Sequence, residues 1–235
     1  MASNQEQRRR QEEEQRQQQQ LRHQQRNDAL IEAAKQGSLA DIQSLLDRHA
    51  DINSRASHNN TPLHLASSRG HHQCVEILLD RQADINALAN NNTTPLHIAS
   101  FKGHHQCIEI LLDRHADVNA LANKNTTPLH IASYGGHHQC IELLLDRQAD
   151  INALGYNNNT PLHLASKHGH HQCIEILLDH GANINARDNN QFTSLHHASS
   201  RGHHRCIEIL LDYGADKSLI NVRLSLSEHM QASLS

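Results

Sequence analysis

Thr61-Pro62-Leu63-His64-Leu65-Ala66 decides the fold. It returns as Thr94–Ala99, Thr127–Ala132 and Thr160–Ala165, and in weaker form as Thr193-Ser194-Leu195-His196-His197-Ala198, each copy starting 33 residues after the last. Glycines 70, 103, 136, 169 and 202, cysteines 74, 107, 140, 173 and 206, and the Leu-Leu-Asp triplets ending at Asp80, Asp113, Asp146, Asp179 and Asp212 keep the same period. In each copy the threonine reads as a helix N-cap. Proline follows at the first helical position, where its missing N–H removes no bond. Leu63 and Ala66 share a face, and Gly70 suits the left-handed residue that ends a helix. Cys74, Val75, Leu78 and Leu79 make the apolar stripe of a second helix, with Glu76 outward. Asn90-Asn91-Asn92 reads as a polar turn, since asparagine tolerates positive φ. The unit is helix, turn, helix, loop.

A 33-residue period carrying Thr-Pro-Leu-His-x-Ala resembles the ankyrin repeat. The resemblance implies an all-α repeat solenoid, helix-turn-helix plus a β-hairpin-like loop, of about six stacked repeats over residues 28–225. Residues 28–60 would be an N-terminal cap repeat, with Asp28-Ala29-Leu30-Ile31-Glu32-Ala33-Ala34 in place of the motif. Repeats at 61–93, 94–126, 127–159 and 160–192 follow, then a C-terminal cap repeat at 193–225 and a tail at 226–235. His197 and Lys217-Ser218 replace the usual residues of the last copy and read as adjustments to an exposed end. The family places glycine after the second helix. Here only Gly181 and Gly214 do so, while His49, Gln82, His115 and Gln148 stand there in the earlier copies. A left-handed conformation at such residues costs about 1 kcal/mol each.

Residues 1–27 hold six Arg, four Glu and many Gln, with Leu21 the one large apolar residue besides Met1. Such an arm has no face to bury and is expected to be disordered or a solvated helix running into the first repeat. The formal net charge of -4 argues against a nucleic-acid backbone as main partner. No apolar run is long enough to span a membrane, and no signal-peptide core opens the chain. Cysteines repeated on helices stacked about 8–10 Å apart lie beyond the reach of a disulfide. Reduced thiols fit a reducing compartment, so an intracellular, cytoplasmic monomer is expected.

The 23 histidines raise the question of metal. His71-His72-Gln73-Cys74 recurs, yet the cysteine takes an inward place and the histidines a turn, so the groups do not converge on one ion. The resemblance implies structural histidines instead. No asymmetric catalytic constellation and no phosphate loop appears, so neither enzyme activity nor a cofactor is expected. The copies disagree with one another near the end of the first helix and in the inter-repeat loop. Arg69, Phe101, Lys102, Tyr134, Tyr156, Lys167, Phe192 and Arg201 fall there. The resemblance places these positions on a concave groove that holds a partner protein, and hot spots favour Tyr and Arg. The expected function is therefore non-catalytic protein–protein binding. A structural spacer and a His-rich metal-responsive surface are the alternatives. Asn86, Asn119, Asn152 and Asn185 also resemble the asparagines that asparaginyl hydroxylases modify in this family. The plainer reading is a turn asparagine bonding its own loop.

Overall fold

The computed structural model describes residues 2–220, and the side chains of residues 6–218. The expected tail and the end of the last repeat lie outside the described residues. The chain divides between Ala116 and Asp117 into two compact units.

In the first unit, α1 runs Ala2–Gln36, followed by α2 (Leu39–Asp47), α3 (Pro62–Arg69), α4 (His72–Asp80), α5 (Pro95–Lys102) and α6 (His105–Asp113). The arm and the first helix of the first repeat are thus one continuous helix. Its Gln, Arg and Glu residues are strong helix formers, uninterrupted by glycine or proline. Its repeat end buries Leu30, Ala33 and Ala34. In the second unit come α7 (Pro128–Gly135), α8 (His138–Asp146), α9 (Pro161–His168), α10 (His171–Asp179), α11 (Ser194–Ser200) and α12 (His204–Asp212). Within each unit the helices form two layers. First helices stack on first helices (α1, α3, α5; α7, α9, α11) and second helices on second helices (α2, α4, α6; α8, α10, α12). The core is what the period predicts: Leu63, Ala66, Cys74, Val75 and Leu78, and their counterparts, are buried.

Among the polar contacts that join successive repeats, three are made by recurring histidines and asparagines. The histidine opening each second helix reaches back 36 residues: His104 Nε2 lies 3.2 Å from the Ser68 carbonyl, and His170 Nε2 3.0 Å from that of Tyr134. Its ring occupies the space a Cβ would need on the preceding glycine. At Gly136, where φ is +74°, an added Cβ would meet His170 Nδ1 at 2.6 Å. The asparagine after the second helix bonds forward. Asn53 Oδ1 accepts from the Asp84 N–H at 3.0 Å, Asn119 from Asp150 at 2.8 Å and Asn152 from Asn183 at 2.9 Å. Asn27 in α1 does the same for Asp51 at 2.8 Å, so an asparagine counted with the arm belongs to the stack.

The third contact is the motif histidine. The backbone N–H of Thr61 donates to His64 Nδ1 at 3.2 Å, and His64 Nε2 lies 3.1 Å from the Thr93 carbonyl in the next loop. Nδ1 therefore accepts and Nε2 carries the hydrogen. The ring is neutral, caps its own helix and ties down the following loop. His130 to Asn159 and His163 to Phe192 repeat the arrangement.

The loops turn tightly without strands. Asn91 and Asn92 take φ of 61° and 57°, and the Thr93 N–H returns to the Asn90 carbonyl, making a type I′ turn that explains the asparagine run. Among the described residues the one β pairing is an isolated bridge between Ala122 and Thr126. His49, Gln82, His115 and Gln148 have φ between 60° and 66°, the left-handed conformation their position requires.

One expectation is corrected. His197 does not sit at an exposed end. It is half-buried, its Nε2 3.0 Å from Oδ2 of the buried Asp188. Its ring edge packs against His163, with centroids 5.6 Å apart. Lys217 and Ser218 are exposed as expected.

Candidate interaction surface

All five aromatic residues, Phe101, Tyr134, Tyr156, Phe192 and Tyr213, are exposed, by 37% to 57%. A folding core ordinarily absorbs such rings. Here leucine, isoleucine and alanine fill the core, and the rings stand outside.

In the first unit Phe101 ends α5, with Lys102 Nζ 5.2 Å from its ring centroid. Arg69 is exposed at the end of α3. In the second unit Tyr134 stands at the end of α7 and meets the His168 ring edge-on at 4.4 Å. Tyr156 occupies a loop tip, and Lys124 from the preceding tip lies over its face at 4.3 Å, a cation–π contact. Lys167 is half-buried and its carbonyl accepts from His203. Arg201 is exposed where α11 ends. Phe192 is the least exposed, stacked on His196 at 5.4 Å, so part of its role is structural. The second unit thus joins Lys124 to Tyr156, and Tyr134 to His168.

Three leucines belong with these residues and escaped the sequence reading. Leu88, Leu121 and Leu154 occur 33 residues apart, each more than half exposed, in the strand-like segment before the loop tip. Arg55 and Arg187 hold the same place in flanking copies. An apolar residue recurring with the core period reads as core; its alternation with arginine was the available signal.

Asn86, Asn119, Asn152 and Asn185 are exposed. The side-chain oxygens of Asn119, Asn152 and Asn185 accept N–H bonds from the next repeat, not from their own loop. Among the described residues no three His, Cys, Asp or Glu side chains group to hold a metal ion. The cysteines are buried and free. Burial pushes the thiols of Cys107 and Cys173 up to about 12, and those of Cys140 and Cys206 up to about 11. No helix of the described residues is long and apolar enough to cross a membrane.

The family model for ankyrin repeats, in three copies, matches residues 12–89, 30–122, 86–155 and 153–221. The chain belongs to the ankyrin-repeat family. Ankyrin repeats are generally protein–protein interaction modules and typically not catalytic. No curated protein matches the chain.

Proposed function

We propose that this protein is a non-catalytic scaffold or adaptor, a cytoplasmic monomer without a cofactor, which binds a partner protein through its first-helix ends and loops. Arg69, Phe101, Lys102, Tyr134, Tyr156, Lys167, Phe192 and Arg201 carry the contact. The supporting observation is that four of the five rings, all excluded from the core, stand at first-helix ends or loop tips. Buried aromatic and arginine contacts dominate binding energies at interfaces.

The test is the double substitution Phe101→Ser with Tyr134→Ser. Thermal unfolding should change little, because both rings are about half exposed. Affinity-capture mass spectrometry from the native cell should recover a partner with the wild type and lose it with the variant. An unchanged set of captured proteins would instead fit an inert spacer. Asn86, Asn119, Asn152 and Asn185 are proposed hydroxylation acceptors where the host has an asparaginyl hydroxylase. Peptide mass spectrometry reads the added oxygen directly.

A further inference from the structure

Carboxylates dominate the second helices of the second unit, where Arg205 is the one Lys or Arg. Glu142, Asp146, Glu175, Asp179, Glu208 and Asp212 all lie on second helices. The first helices and the loop segments directly before them, residues 120–135, 153–168 and 186–201, carry Lys124, Lys167, Arg187 and Arg201, and one carboxylate, Asp188, while the exposed Asp117 and Asp150 lie at the start of the loops, next to the second helices. That carboxylate is 3% exposed and already bonded to His197 and to the N–H groups of Asn190 and Phe192. To a ligand those segments therefore present only cations, in a chain whose formal net charge is -4. Among the described residues none of the four cations forms an ion pair with a carboxylate.

The same face presents apolar groups at repeat spacing. Leu121 and Leu154 are 57% and 53% exposed, one repeat apart, with Arg187 next in the row. Tyr134, at the end of a first helix, and Tyr156, at a loop tip, are exposed as well. Packed helices lie about 8–10 Å apart. An extended chain advances about 3.3 Å per residue, so every third residue of a bound segment meets the next repeat.

We propose that the first-helix face of this unit takes an acidic peptide segment in extended conformation. Its aliphatic or aromatic side chains, about three residues apart, rest on Leu121, Leu154 and Tyr156. Its carboxylates between them face Lys124, Lys167, Arg187 and Arg201. The inference rests on the proposed protein-binding function and adds the chemistry of the partner. Single-stranded nucleic acid is the competing class for a face with cations and rings. Exposed leucines offer no stacking partner to a base, and four cations on a net-acidic chain are a weak electrostatic footprint. Charge complementarity of this kind mainly selects the partner and speeds its arrival.

The experiment is selection of a random peptide library, about twelve residues long, on the full-length protein, which is long enough to cross three repeats. Recovered peptides should be rich in Asp and Glu with spaced apolar anchors. Their affinity should fall at least about tenfold on the variant K124E/K167E/R187E/R201E, and on raising salt from about 0.05 M to about 0.3 M. Melting of the variant is measured alongside. If the quadruple variant does not fold, L121S/L154S is used, and it should lose the same peptides. Basic or neutral peptides, no enriched peptide, or acidic peptides held equally by the variants would each overturn the proposal. So would displacement of the peptide by a thymidine oligonucleotide at equal concentration. If a cellular partner is still lost on Phe101→Ser with Tyr134→Ser while selection fails, protein binding stands and the acidic-segment reading falls. If capture and selection both fail, both fall.

Discussion

His197 Nε2 and Asp188 Oδ2 lie 3.0 Å apart across the junction of the last two repeats, and the other Asp188 oxygen accepts the N–H groups of Asn190 and Phe192 at 2.8 and 2.9 Å. This loop does not use the asparagine type I′ turn of the earlier copies; one buried carboxylate holds it instead. Burial lowers the His197 pKa, against the pull of Asp188. Asp188→Ala would strand two N–H donors and the imidazole. The expected loss is about 3 kcal/mol in urea unfolding, with a smaller loss for Asp188→Asn, which keeps an acceptor. A loss of less than about 0.5 kcal/mol for the alanine variant would mean that the loop is held by other contacts.

Stability should fall in mild acid. Burial pushes His64 and His163 down to about 4 and lowers His130 as well. The unfolded ring has a pKa of about 6.5. Between those values the unfolded chain binds the extra protons. The contribution is therefore complete above about pH 6.5 and is lost as pH falls toward 4, roughly 3 kcal/mol for each of the two most shifted rings. The structural cause is visible at Thr61, whose N–H already points at His64 Nδ1 and leaves no room for a second hydrogen there. The melting temperature at about pH 5.5 should be clearly lower than at about pH 7.5; equal values would contradict this account.

Two glycine substitutions separate backbone strain from collision. Gly136→Ala places a left-handed alanine against the His170 ring, whereas Gly181→Ala meets nothing within 4 Å. The second should cost about 1 kcal/mol and the first clearly more. In the opposite sense, Gln148→Gly relieves a φ of 64° and should add about 0.5 kcal/mol or more, net of the freedom glycine gives the unfolded chain. Equal costs for the two alanine variants would show that the His170 ring moves aside freely.

Ser67, Ser100, Ser133, Ser166 and Ser199 are buried on the first helices, and their hydroxyls have no hydrogen-bond partner among the described residues. Alanine at these sites removes an unsatisfied polar group and raises helix propensity. Each substitution should stabilise by about 0.5–1 kcal/mol, read from denaturant midpoints at constant m-value. Destabilisation would indicate that each hydroxyl is satisfied in solution by a bound water.

The five buried thiols should react slowly with a thiol reagent in the folded protein and rapidly in denaturant, since burial raises every one of them. Fast labelling of Cys107 or Cys140 without denaturant would mean that the second helix opens far more readily than its packing implies.

Most of the stack was readable from the period. Threonine, proline, glycine and the apolar stripe each act within a few residues of their own position, so pattern alone places them. Even the strained Gln82 and Gln148 were visible, as departures from glycine. What stayed hidden acts at a distance. The Asn119 oxygen serves a loop 31 residues later, and a local reading assigned it to its own turn. His197 looked like an end effect because its partner, Asp188, sits in a loop that varies between copies. Asn27 looked like arm because the residues just before it are polar, although its side-chain oxygen accepts from Asp51. Leu121 and Leu154 show the converse: periodicity marks a recurring leucine but not the side of the helix pair on which it stands.

The interfaces between repeats hand over at constant offsets: histidine back 36 residues, motif histidine forward 29, asparagine forward 31. Cutting out or duplicating one 33-residue block in frame would leave these histidine and asparagine groups facing partners of the same kind. Contacts made by residues that vary between copies, such as the Asp188 loop, Asn27, Tyr213 with Asp179 and Lys124 with Tyr156, are tied to one place. A gene built this way can gain or lose units by unequal recombination without compensating substitutions. The number of repeats is thus free to drift while the chemistry of each junction stays fixed.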